Sequence, residues 1–216
     1  MTYRVFTDVE VSDLKFGPVI KDNKGNGGGG TMFQDHCVFI NNEEGGQFSF
    51  QMNTGYAGRS RCPFGVSGLV VGEEDKGKYS LEMESTEELS AFLTKFSEHV
   101  KKQAVANSID WFKKPMTPAE VNHMFVSPLK QQDGRSDKVK MKISPRTVFD
   151  RIVEVKDGQV RYQTATKEDL LPNSKAMVWA RMNRIWFSKQ EFGVQIAIQR
   201  ILIDPPESAV AKGFAF

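Results

Sequence analysis

Cysteine and histidine are scarce in this 216-residue chain, and so are long apolar runs. The two thiols, Cys37 and Cys62, cannot build the disulfide framework of a small secreted domain. No Cys-x-x-Cys pair occurs, and His36, His99 and His123 are scattered, which argues against a zinc site. No apolar stretch approaches the roughly 18 residues that a membrane span needs. The start, MTYRVFTDVEV, reads as neither a signal nor a transit peptide, so a soluble, intracellular protein is expected. Catalytic patterns are missing too. No Asp-x-Asp pair suggests converging carboxylates, and Gly65-Val-Ser67-Gly68 is not a nucleophile elbow, so neither an enzyme nor a cofactor is expected. A net charge of only +2 means that any basic surface must come from local arrangement.

The length and a 39% hydrophobic fraction suit one domain over residues 1–216 with a substantial core. Strands are expected at Tyr3 to Val11, Cys37 to Ile40 and Phe48 to Met52. The glycine-rich stretch 22–31 between the first two reads as a loop, because no Lys-Ser or Lys-Thr follows it to make a phosphate cradle. Val66 to Val71 and Tyr79 to Met83 read as hairpin arms about a charged turn.

The strongest helical signal follows. Ser85 with Glu88 forms a capping box, and Leu89, Phe92, Leu93, Phe96, Val100 and Ala104 recur at spacings of three and four. A second capping box, Thr117-Pro118-Ala119-Glu120, opens a short helix ending before Ser127-Pro128. Strands return at Lys138 to Ile143, Val148 to Val155, Val160 to Thr164, Ala176 to Phe187 and Phe192 to Ile203, the last two joined as a hairpin. Strands, a helix pair and strands again make an α+β chain.

Four basic-aromatic clusters stand out. In the strand from Lys138 to Ile143, alternation places Lys138, Lys140 and Lys142 on one face, about 6.5–7 Å apart, near the phosphate spacing of an extended single strand. In the terminal hairpin, strict alternation groups Trp179, Arg181, Asn183 and Phe187 against Arg184 and Trp186, unless a bulge intervenes. Its partner strand should bury Ile196, Ile198 and Leu202 and turn Gln195 and Gln199 outward. The loop Tyr56 to Phe64 adds Tyr56, Arg59 and Arg61, and Trp111-Phe112-Lys113-Lys114 follows the main helix. Glu43-Glu44, Glu73-Glu74-Asp75 and Glu87-Glu88 fall in turns and helix starts, which leaves the basic strands less diluted. Each cluster alone also suits a solvated strand face or a core aromatic.

The order of these pieces resembles the single-stranded DNA-binding proteins of large eukaryotic double-stranded DNA viruses, of poxvirus, asfarvirus and algal giant-virus type. The matching segments are Cys62 to Ser67, Val105 to Lys114, Ser127 to Lys130, Lys138 to Lys142 and Ile185 to Gly193, within roughly residues 35–203. The resemblance implies an oligonucleotide-binding, antiparallel β-barrel elaborated by a helical insertion at about residues 86–126. It implies cooperative, sequence-independent coating of single-stranded DNA during viral replication, recombination or repair, in a replication compartment of the host cytoplasm or nucleus. DNA contact would fall to Lys138, Lys140, Lys142, Arg181, Arg184, Trp186, Phe187 and Lys189, with Tyr56, Arg59, Arg61 and Lys113 added from the other clusters. Such proteins often end in an acidic tail, whereas the tail 204–216 stops at Lys212-Gly-Phe-Ala-Phe216. Either a tail was removed, or Phe214 and Phe216 dock on a neighbour and support self-association along DNA. The rival readings are a virion-associated protein that uses its aromatics for protein contacts, and an RNA-binding module.

Overall fold

The computed structural model describes residues 4–21, 36–42, 46, 48–68, 79–131, 133–156 and 159–204. The glycine-rich stretch 22–31, the end of the first hairpin arm (69–71) with the turn expected over 72–78, Phe214 and Phe216 lie outside the described residues.

The first half carries strands β1 (Arg4–Val5), β2 (Lys15–Lys21), β3 (His36–Asn41), β4 (Ser49–Gln51), β5 (Ser60–Cys62), β6 (Val66–Ser67) and β7 (Tyr79–Glu84). Three helices follow: α1 (Glu87–Ala106), α2 (Ser108–Phe112) and α3 (Pro118–Met124). The second half adds β8 (Phe125–Val126), β9 (Leu129–Lys130), β10 (Lys138–Lys156), β11 (Gln159–Thr164), β12 (Ser174–Phe187) and β13 (Phe192–Asp204). The expected strand from Tyr3 to Val11 is instead β1 and two 3₁₀ turns, Phe6–Asp8 and Val11–Asp13, which bury Phe6 and Val11. The two strands expected between Lys138 and Val155 are one strand, β10, whose pairing with β13 is irregular between Ile143 and Val148, around Pro145.

All the strands join one mixed sheet whose main path runs β1-β4-β12-β13-β10-β7-β6. The sheet is mostly antiparallel, but β10 and β13 pair in parallel, as do β8 with β13 and β1 with β4. The expected all-antiparallel barrel is therefore corrected to a mixed sheet. Among the described residues no hydrogen-bonded strand pair closes the path on itself. The Arg61–Glu84 ion pair (3.2 Å) nonetheless ties β5, on the flank of β12, to β7.

The inner face of the sheet is the core. Helix α1 lays its predicted stripe there, with Leu89, Phe92, Leu93, Phe96, Val100 and Ala104 all buried. Its cap is one residue later than expected: Thr86, not Ser85, accepts the Leu89 N–H. The capping box at Thr117 and Glu120 forms as expected. Phe92 meets Phe50 and Phe6 at ring separations of 5.9 and 5.8 Å. Trp111 and Phe112, expected in a basic-aromatic cluster, sit on α2 and pack inward on Phe187 at 5.9 and 5.5 Å. They are core residues, and Lys113, exposed beyond them, belongs to the helical side.

Candidate nucleic-acid interface

Two bulges decide which side chains reach the outer face of the sheet, the one opposite the helices. On β12, Met182 pairs with Ile196 and Arg184 with Gln195, so Asn183 is an extra residue. Before it, Val178, Ala180 and Met182 are buried while Trp179 and Arg181 stand partly exposed. After it the phase is reversed: Ile185 and Phe187 are buried, and Arg184 and Trp186 turn outward. The bulge thus gathers Trp179, Arg181, Arg184 and Trp186 on one face, where strict alternation had divided them.

Phe187 is the exception among the expected contacts. It is buried, stacked on His36 at 4.8 Å and on Phe192 at 6.1 Å. Its assignment as a DNA contact is corrected to core. Trp186 instead lies over Gly193, its cross-strand partner. A Cβ on Gly193 would stand 2.7 Å from the Val126 carbonyl oxygen and 3.0 Å from Trp186 Cζ2, so only glycine lets the indole settle there.

The second bulge is on β13. Trp179 pairs with Arg200 and Ala180 with Ile198, which leaves Gln199 extra. Leu202, expected inside with Ile196 and Ile198, is therefore turned outward. It packs with Ile152 and Met177 in a small apolar cluster that Tyr56 and Trp179 border.

Register then sets the charge. Arg181 pairs with Ala197, Ala197 with Lys142, and Lys142 with Ser80, so two cations flank a small-residue floor. At about 4.8 Å per strand, their backbones are about 10 Å apart. Arg184 reaches Gln195 Oε1 (3.3 Å), which also accepts from Asn183 Nδ2 (3.0 Å), and its guanidinium lies 3.9 Å from Cys37 Sγ.

The other two lysines of β10 are placed differently. Lys140 stands opposite Glu82, and Lys138 opposite Glu84. Glu82 pairs with Lys130 and Glu84 with Arg61. Glu87 and Glu88 fall in the first turn of α1 as expected, and Glu43-Glu44 and Glu73-Glu74-Asp75 lie outside the described residues, but the expectation that the basic strand is left undiluted is corrected: β7 sets Glu82 and Glu84 beside it. Of the three lysines, only Lys142 has uncharged in-register neighbours.

At the far end, Arg200 binds Asp150 (2.8 Å) and lies 4.6 Å from the Tyr162 ring centre and 5.5 Å from that of Trp179. Tyr162 is 52% exposed. Arg59 is held by Asp204 (2.6 Å) over the Tyr56 ring (4.0 Å). Burial, and then the Asp204 charge, raise the Tyr56 hydroxyl above its ordinary value. Arg61 adds a bond to Asn173 beside its Glu84 pair. These two arginines tie loop and strand together, with their charge already answered. Lys189 is exposed at the tip of the β12–β13 hairpin.

Of the twelve candidate residues, Lys138, Lys140, Lys142, Arg181, Arg184 and Trp186 therefore share the outer face with Tyr56. Trp179, Tyr162, Arg200 and Gln195 were not among the candidates. A signal for the bulges was present: Met-Asn-Arg-Ile (182–185) and Ile-Gln-Arg-Ile (198–201) each set two polar residues together inside an alternating strand. Among the described residues, no three His, Cys, Asp or Glu side chains are grouped to hold a metal ion.

Fold and face together define a mixed-sheet protein with helices on one side and an open cationic, aromatic surface on the other. No protein-family model matches the chain, and no curated protein matches it in sequence. Among solved structures it is similar to the single-stranded DNA-binding protein from bacteriophage Enc34, at 11% identity and a TM-score of 0.43, covering 89% of this chain and 90% of that one. The same phage protein in complex with single-stranded DNA gives 12% identity and a TM-score of 0.43, covering 82% and 94%. Its C-terminal truncation gives 10% and 0.43, covering 87% and 95%.

Proposed function

We propose that this protein binds single-stranded DNA, without sequence preference, along the outer face of β12, β13 and β10. The observation that carries the reading is the gathering of Trp179, Arg181, Arg184 and Trp186 on one face by the Asn183 bulge, with Lys142 across the Ala197 floor. Rings offer stacking that any base can accept, and arginine or lysine between them neutralises phosphate. From Trp179 to Trp186 the strand covers about 20 Å, room for about three extended nucleotides. Lys140 and Lys189 extend the cationic path toward β7 and toward the hairpin tip. Bases stacked within a duplex cannot reach the rings, so single strands are preferred. Coating of strands exposed during viral replication is the setting that the sequence resemblance implies, and it belongs to the same proposal.

The test is fluorescence anisotropy with labelled oligo-dT, its RNA counterpart and a matched duplex, across a salt series. Four neutralised phosphates give a slope of log affinity against log salt of about −3 for a single strand. Equal binding to duplex, or an affinity indifferent to salt, would overturn the reading and return these side chains to an ordinary protein surface. Equal binding to the RNA strand would widen the ligand to either nucleic acid.

A further inference from the structure

On the helical side, remote from the face just described, a polar cavity of about 220 Å³ opens between the second 3₁₀ turn, β2 and α1. Ser12, Lys15, Phe16, His99, Gln103 and Asn107 line it. None of its lining residues is acidic. His99 is part of the wall, and its Nε2 is buried without a hydrogen-bond partner, although buried polar atoms are nearly always satisfied by protein, water or an ion. Asn107 Nδ2 donates to Gln103 Oε1 (3.3 Å), one of the two bonds that oxygen can accept, which leaves the amide donors of Gln103 for another partner.

The charges that act on His99 are Lys102 from its own helix and Lys15 from β2, both positive. Neither lysine makes an ion pair among the described residues. Of the nearby groups, Glu98 is paired with Lys101, Lys95 with Glu10, and Asp13 accepts from Ser12 at 3.4 Å. Lys15, His99 and the Gln103 amide thus line a cavity that has no acidic side chain in its wall. Burial, and then Lys102 and Lys15, hold the His99 imidazole below its ordinary value.

We propose that this cavity is a binding site for a phosphate-like oxyanion, held by Lys15, protonated His99 and the Gln103 amide. A tetrahedral oxyanion fits the volume, and its negative charge favours the imidazolium that the surrounding side chains alone disfavour. The ligand is free inorganic phosphate or a phosphate monoester on a larger molecule.

The experiment follows the His99 ring signals by NMR through a pH titration of the full chain. Sulfate is the first probe, because its charge is constant over the range, with sodium chloride at matched ionic strength as control. Sulfate is expected to raise the His99 pKa by about half a unit or more, and Lys15→Ala to abolish most of that rise. His99→Gln should retain weaker sulfate binding, by calorimetry, with no dependence on pH between about 5 and 8. Inorganic phosphate, thymidine and thymidine 5′-monophosphate then separate the two sources: a shift with the nucleotide alone indicates a carried phosphate, a shift with both the free ion. If sulfate, phosphate and the nucleotide move His99 no more than chloride does, the cavity holds water and the proposal fails.

Discussion

Trp186 and Phe187 are adjacent in sequence and alike in chemistry, yet they face opposite sides of the sheet, and their substitutions should separate accordingly. Trp186→Ala should weaken single-strand binding by about 1–3 kcal/mol in anisotropy titrations while leaving the urea midpoint nearly unchanged. Phe187→Ala should cost about 3–5 kcal/mol of folding stability, since it vacates a site packed by His36, Trp111, Phe112 and Phe192. Gly193→Ala should do some of each, because the added methyl meets both the Val126 carbonyl and the indole.

The two remaining titratable groups of interest act through pH. Cys62 is held up to about 12 by burial and by Glu84, so its thiol should resist alkylation at pH 8 until the chain unfolds. His99 is lowered in the folded state, so the unfolded chain takes up its proton first. Its contribution is intact above the unfolded value of about 6.5 and is lost as pH falls through that value toward the folded one. Urea midpoints measured from about pH 8 down to about pH 5 should show that decline, and His99→Gln should flatten its share of it.

At the scale of the element, most of the helices and the long hairpin were legible because their signals are local. The stripe of α1 and the capping box of α3 depend on residues three and four apart, and both formed as expected. What failed was phase. Period-two alternation carries a side chain's direction only while every residue is paired, and one unpaired residue inverts everything beyond it. Asn183 did this to Phe187, and Gln199 did it to Leu202.

Register was also illegible. Nothing in Lys138-Val-Lys-Met-Lys142 says that Glu82 and Glu84 stand beside two of its lysines while Ser80 stands beside the third. Lys142→Ala should therefore lower affinity for oligo-dT and reduce the salt slope by about 0.7, the share of one phosphate on a single strand that keeps its counterion. Lys138→Ala should change the slope less, because its charge is opposed by Glu84. Parallel salt titrations of the two variants would check the ordering, and equal effects would count against the register as the cause.

For the molecule as a whole, the parallel pairing of β10 with β13 has a kinetic consequence. β12 and β13 meet through the four-residue connection Ser188 to Glu191, a closure that costs little chain entropy and forms quickly. Lys142 reaches Ala197 only after β11 and the whole terminal hairpin have been synthesised and folded back, a pairing between distant parts of the chain. The aromatic and arginine side of the surface thus matures before its lysine side. A refolding chain should therefore form the β12–β13 contacts early and complete the proposed binding face, with Lys142 beside Ala197, late.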